Sequence, residues 1–97
     1  MFARIGSWQG SSSELEQWIR RGREFVKPNL QQDEGLRAAD WLVDHDAGTA
    51  MIVTLWESEA AMRASEETRL KRQSAMTAST GARVTTHRYE VVDSLLM

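Results

Sequence analysis

Thr49-Ala50-Met51-Ile52-Val53-Thr54-Leu55-Trp56-Glu57, followed by Ser58-Glu59-Ala60-Ala61-Met62, is the stretch from which the fold of this 97-residue chain can be read. It predicts a central strand feeding a helix. Met51, Val53 and Leu55 stand on one parity of the strand and Ala50, Ile52 and Trp56 on the other, so both of its faces need cover. Ser58 has the hydroxyl of a helix N-cap, and Glu57 and Glu59 bring negative charge to the positive end of the helix dipole. The strand therefore ends at about Glu57.

Upstream, Met1 to Trp8 alternates loosely and stops at the turn-forming run Gly10-Ser11-Ser12-Ser13, which reads as a first strand. Ser11 with Glu14 and Ser13 with Glu16 both have capping-box spacing, so a helix starts there. Leu15, Trp18, Ile19, Phe25 and Val26 give it one apolar stripe, with Gly22 close to that stripe. Pro28 should end or kink this helix near Lys27, leaving Asn29 to Gly35 as a polar connection. Leu36 to Asp44 is a second strand whose mixed character suits an edge, and Asp44-His45-Asp46-Ala47-Gly48 supplies a short hairpin loop back to the central strand. Beyond Ser58 the chain reads helical to about Ala78, in two pieces with a break at Ser65-Glu66-Glu67-Thr68, and Thr80-Gly81 ends it. Ala82 to Val92 is the last strand, with His87 and Tyr89 on one parity; the tail Asp93-Ser94-Leu95-Leu96-Met97 ends apolar.

The totals bound the answer. One domain spanning 1–97 is expected from the length. With 12 Lys+Arg against 14 Asp+Glu the charge is −2, which offers no electrostatic footprint for a nucleic acid, and the cluster Arg20-Arg21-Gly22-Arg23 reads as a solvated helix face. The absence of cysteine removes disulfides, thiolate metal sites and a cysteine nucleophile. The N-terminus has no apolar core of a signal peptide and no run reaches the ~20 residues that span a bilayer, so a soluble cytoplasmic protein without membrane contact is the default expectation.

Strand, helix, strand, strand, helix, strand folds most simply into an α+β, ferredoxin-like βαββαβ sheet, four-stranded and antiparallel, with both helices on one face and strands one and three in the middle. Two helices cover only one face. A second copy is the economical cover for the other, giving a homodimer of sheets packed face to face as an α/β barrel, on which Leu95, Leu96 and Met97 can dock.

The corner Leu55-Trp56-Glu57-Ser58-Glu59-Ala60, the order of elements and a last strand ending Tyr89-Glu90-Val91-Val92 resemble the antibiotic biosynthesis monooxygenase-like proteins of the dimeric α/β-barrel superfamily. The resemblance covers nearly the whole chain. It implies a dimer and, in one branch, cofactor-free monooxygenation of a small aromatic phenol or quinol, in which the substrate is deprotonated and its carbanion meets oxygen among Trp, Tyr, Asn and Arg side chains. Here Asn29 is the one asparagine and falls in a loop. Another branch degrades heme with an Asn on the first strand, a second Trp beyond the corner and a His on the final helix. This sequence has no Asn on its first strand, places the second Trp position near Ser65, and carries no His between Thr68 and Ala78.

Such oxygen chemistry needs a dry pocket, a base titrating near neutrality and donors where charge develops. His87 is the natural base, while Tyr89 or Arg4 can donate to an oxyanion. A charge such as Arg4 on a central strand must also be satisfied, with Asp40 and Glu90 as sequence-level partners. Trp56, Trp41, Trp8, Met62 and Met76 are the candidate walls of a substrate pocket between sheet and helices, although residues of these types more often fill a core. His45 between Asp44 and Asp46 reads as a solvated loop residue, not a metal ligand. Two readings stay open: a cofactor-independent monooxygenase, and a non-catalytic dimeric module that binds a small molecule or serves structure. Convergence of His87, Tyr89 and Trp56 on one cavity is the feature that separates them.

Overall fold

A computed structural model describes residues 1–66 and 84–95. β1 (Phe2–Gln9), β2 (Leu36–Asp44), β3 (Thr49–Trp56) and β4 (Val84–Glu90) form a four-stranded sheet in the order β2-β3-β1-β4, with every neighbouring pair antiparallel. Strands one and three are central and β2 is an edge, as the hydrophobic patterns predict. The expected second piece of the helix after Ser58, and with it Leu70, Met76 and the Thr80-Gly81 stop, lies outside the described residues, as do Leu96 and Met97.

α1 (Ser12–Arg21) begins with the first of the two possible capping boxes. Glu14 N donates to Ser11 Oγ at 3.3 Å, and Ser11 N donates to Glu14 Oε1 at 2.9 Å. The helix does not end at Pro28. It passes through a π-helical turn, Gly22–Val26, in which Lys27 N donates to Gly22 O, and continues as α2 (Lys27–Leu30). The chain absorbs Pro28 directly after the widened π turn, and the turn that follows buries Leu30. Asn29 is therefore helical, its Nδ2 donating to Phe25 O at 2.6 Å, and Leu30 is buried. The extra residue in the π turn also shifts the helical phase. Val26 stays inward while Phe25, expected in the apolar stripe, is 55 % exposed beneath the Arg21 guanidinium.

Strand register decides which side chains share a face. Arg4 opposes Thr54, Gly6 opposes Ile52 and Trp8 opposes Ala50, and all stand on the side that α1 covers. Trp8, Leu15, Trp18 and Ala50 form the buried cluster, with Ile19, Trp41, Val43 and Ile52 packed around it. Gly22 makes this packing possible, because a Cβ there would lie 2.9 Å from Trp41 Nε1. The opposite face carries Ile5, Met51, Val53 and Leu55 in a half-buried band, flanked by exposed Leu42 and Tyr89. Both parities of β3 are thus apolar, and the described helices cover one of them.

Gly35 and Gly48 take positive φ, +80° and +68°, at the two ends of the β2–β3 hairpin region. Gly48 closes the turn with its N donating to Asp44 O at 3.0 Å, and Asp44 Oδ1 accepts from the backbone of Asp46 and Ala47. His45 is accordingly an exposed turn residue, and no group of acidic and histidine side chains able to hold a metal ion exists among the described residues. α3 (Glu59–Ala64) starts at Ser58, whose Oγ accepts from Ala61 N at 3.1 Å. No described helix is long and apolar enough to cross a membrane.

Candidate functional site

On the helix-covered face, β1 and β3 place Arg4, Thr54 and Trp56 side by side. Trp56 is fully buried, and its Nε1–H donates to Thr54 Oγ1 at 2.9 Å; Thr54 in turn donates to Arg4 O at 3.2 Å. The Arg4 guanidinium, in a residue only 5 % exposed, sits 5.1 Å from the centre of the Trp56 ring. Its Nη1 donates to Met62 O at 3.2 Å and to Ser65 Oγ at 2.9 Å, and Ser65 Oγ donates onward to Met62 O at 2.8 Å. A cation at the C-terminal end of α3 meets the negative end of the helix dipole there. The positive charge that the sequence puts on a central strand is therefore held by an aromatic face and a helix terminus. Asp40, one of its sequence-level partners, stands on the opposite face, since it opposes Val53.

Further along the same face, Trp8 stacks on Trp18 with ring centres 5.9 Å apart and planes 21° from parallel, and Trp41 lies beneath Gly22. Met62 is buried on α3. Arg88 on β4 is held by the carboxylate of Glu66, and that hydrogen bond raises the guanidinium pKa further. Arg4, Trp56, Trp41, Trp8 and Met62 thus share one side of the sheet, while Met76 lies outside the described residues.

His87 and Tyr89 do not join them. In the β1–β4 register Arg4 opposes Arg88, whereas His87 opposes Ile5 and Tyr89 opposes Ala3. Alternate residues of a strand point to opposite faces, so both rings, 6.3 Å apart, lie on the uncovered side and are exposed. A cavity shared by His87, Tyr89 and Trp56 is excluded by this register. On that uncovered side a groove of ≈ 710 Å³ runs past Ser7, Leu42, Thr49, Met51 and Thr85.

Thr54 and Ser65 were not among the residues that sequence reasoning singled out. Thr54 does leave a signal, because it is the one polar residue in the helix-facing set Ala50, Ile52, Thr54 and Trp56. Ser65 reads only as a helix stop, and its bond to Arg4 spans 61 positions of sequence.

A family model described as antibiotic biosynthesis monooxygenase matches residues 1–74. No curated protein matches the sequence. Among solved structures, the Streptomyces coelicolor monooxygenase from the ActVA-Orf6 gene, in complex with nanaomycin D, superposes with a TM-score of 0.82 at 13% identity, over 99% of this chain and 91% of that one. SnoaB, a cofactor-independent oxygenase from Streptomyces nogalater, gives 0.73 at 13% identity over 97% and 95%. The heme-degrader MhuD from Mycobacterium tuberculosis, with two hemes bound, gives 0.70 at 17% identity over 98% and 99%. At such identities the superpositions establish a shared fold, and the family match covers most of the chain. The fold and the family model together show that this chain belongs to the antibiotic biosynthesis monooxygenase family.

Proposed function

We propose that the protein is a cofactor-independent monooxygenase, working as a homodimer, that converts a small aromatic phenol or quinol bound between sheet and helices. The observation that carries this reading is the buried Arg4 guanidinium over Trp56, set in a tryptophan-rich face of a family fold. A fixed cation in a water-poor site favours the ionised form of a phenol lying against it, and ionisation is what activates the ring carbon toward oxygen. The atoms balance without an added reductant: a phenol and O2 give a quinone and water, one oxygen atom entering each product.

In this reading Trp56 and Trp8 are walls for the substrate ring, with Trp41 and Met62 completing the apolar lining. Arg4 is the electrostatic element. His87 and Tyr89 belong to the uncovered face, where a second copy of the chain would meet them, and the apolar band of Ile5, Val53 and Leu55 supports that face as the dimer contact. A non-catalytic binding module is favoured by two observations: His87 and Tyr89 stand on the other face of the sheet from Trp56, and Arg4 Nη1 is already hydrogen-bonded to Met62 O and Ser65 Oγ.

Oxygen uptake by the purified protein separates the two. Across a panel of hydroquinones, naphthols and anthrone-like phenols, substrate-dependent uptake is expected, and Arg4→Met should lower kcat by about 100-fold with the fold retained. Uptake that never rises above the substrate-only rate for any panel member refutes the enzyme and leaves the binding module.

A further inference from the structure

Trp8 carries a polar atom that the fold leaves unused. The residue stands on the helix-covered side of a central strand and is 3 % exposed. Its indole Nε1–H is buried and meets no acceptor among the described residues. Trp56, equally buried on the same face, gives its Nε1–H to Thr54 Oγ1 at 2.9 Å. Stranded donors are uncommon in folded proteins.

The described residues around the ring offer it no acceptor. One face of the ring is occupied by the Trp18 stack. The Cζ2 and Cη2 edge, which adjoins Nε1 in the indole, lies against Gly10, where a Cβ would come within 3.1 and 3.2 Å. Glycine has no side-chain acceptor to offer it.

We propose that Trp8 Nε1–H is the anchor for an oxygen on the protein's ligand, an aromatic carbonyl or phenol oxygen, with the Trp8–Trp18 stack as the aromatic wall beside it. This deepens the proposed function and rests on it. It adds a rule of selection: a planar aromatic that bears an oxygen acceptor binds in preference to a hydrocarbon of the same shape, because only the former relieves the stranded donor.

The test uses 1,4-naphthoquinone and naphthalene as probes of one ring size, on the full chain, which has no cysteine to add to the quinone. In the 1H–15N spectrum the Trp8 indole signal is identified by its loss in Trp8→Phe. Naphthoquinone should move that signal downfield and bind about tenfold more tightly than naphthalene, and Trp8→Phe should bring the ratio of the two affinities to about one, whatever it does to both together. Should Trp8→Phe not fold, selective ¹⁵N labelling with ring-proton contacts assigns the signal in the wild-type chain, and the downfield shift and affinity ratio decide alone. Equal affinities, or naphthoquinone binding that leaves the Trp8 signal unmoved, overturns the anchor and spares the proposed function. Binding of neither probe overturns the aromatic site itself, and the anchor with it.

Discussion

Replacing Thr54 by valine tests whether the buried relay beneath Arg4 is organised as described. Valine has nearly the shape of threonine, so packing is kept, but the acceptor for Trp56 Nε1–H and the donor to Arg4 O are both removed. Trp56 has no exposed surface through which water could take over, and Thr54 is only 3 % exposed. Leaving the indole donor stranded costs about 1–3 kcal/mol, and losing the second bond about 1 kcal/mol, against a gain of under about 1 kcal/mol from the added methyl. A net loss of about 2 kcal/mol corresponds to a fall in Tm of roughly 8–16 °C for a domain of this size. The assay is urea unfolding followed by far-UV circular dichroism at fixed protein concentration, because the proposed dimer would couple stability to concentration. A double-mutant cycle sharpens it. Trp56→Phe removes the donor, so in that background Thr54→Val should cost about 1–2 kcal/mol less than it does alone. A Thr54→Val loss under about 0.5 kcal/mol, or strictly additive losses in the cycle, would refute the relay.

Further outcomes follow from other sites. Gly35→Ala places a side chain at φ +80° and a Cβ 2.5 Å from that of Ala61, so it should destabilise by about 2 kcal/mol or more, read by thermal melting, whereas Gly10→Ala, with its Cβ 3.1 Å from the Trp8 ring edge, should cost less because the ring has to give by only a few tenths of an ångström. The Glu14 carboxyl is held below its usual 4.5 by the Ser11 backbone N–H; its contribution is therefore present above that value and fades as pH falls through the lowered one. The gap in Tm between wild type and Glu14→Gln should accordingly narrow between about pH 6 and pH 3, and a gap that stays constant would mean the capping box is not formed. Val53→Glu puts a charge in the middle of the uncovered apolar face and should yield a folded monomer in sedimentation, while a persistent dimer would place the contact elsewhere.

Much of the architecture was legible because it depends on short-range pattern. Apolar residues on both parities of Thr49–Trp56 mark a strand with two apolar faces, and the boundaries of β2 and the turn at Gly48 follow from residues within a few positions of one another. The π turn was not legible. A proline signals a break, but whether the helix stops or absorbs it depends on what the next turn can bury, here Leu30.

The candidate site divides the same way. Sequence alone determined that β1 and β4 are strands, that Arg4 sits on one parity of its own strand, and that His87 and Tyr89 share a parity of theirs, since alternation is a property of each strand by itself. Whether those parities coincide in space is a matter of register between strands. Only the tertiary structure sets Arg4 opposite Arg88 and sends His87 to the other face. The same holds for the Arg4 bonds to α3 and for the stranded N–H of Trp8: a hydrogen bond between residues 61 positions apart, or the lack of one, is decided by how the sheet and helices pack.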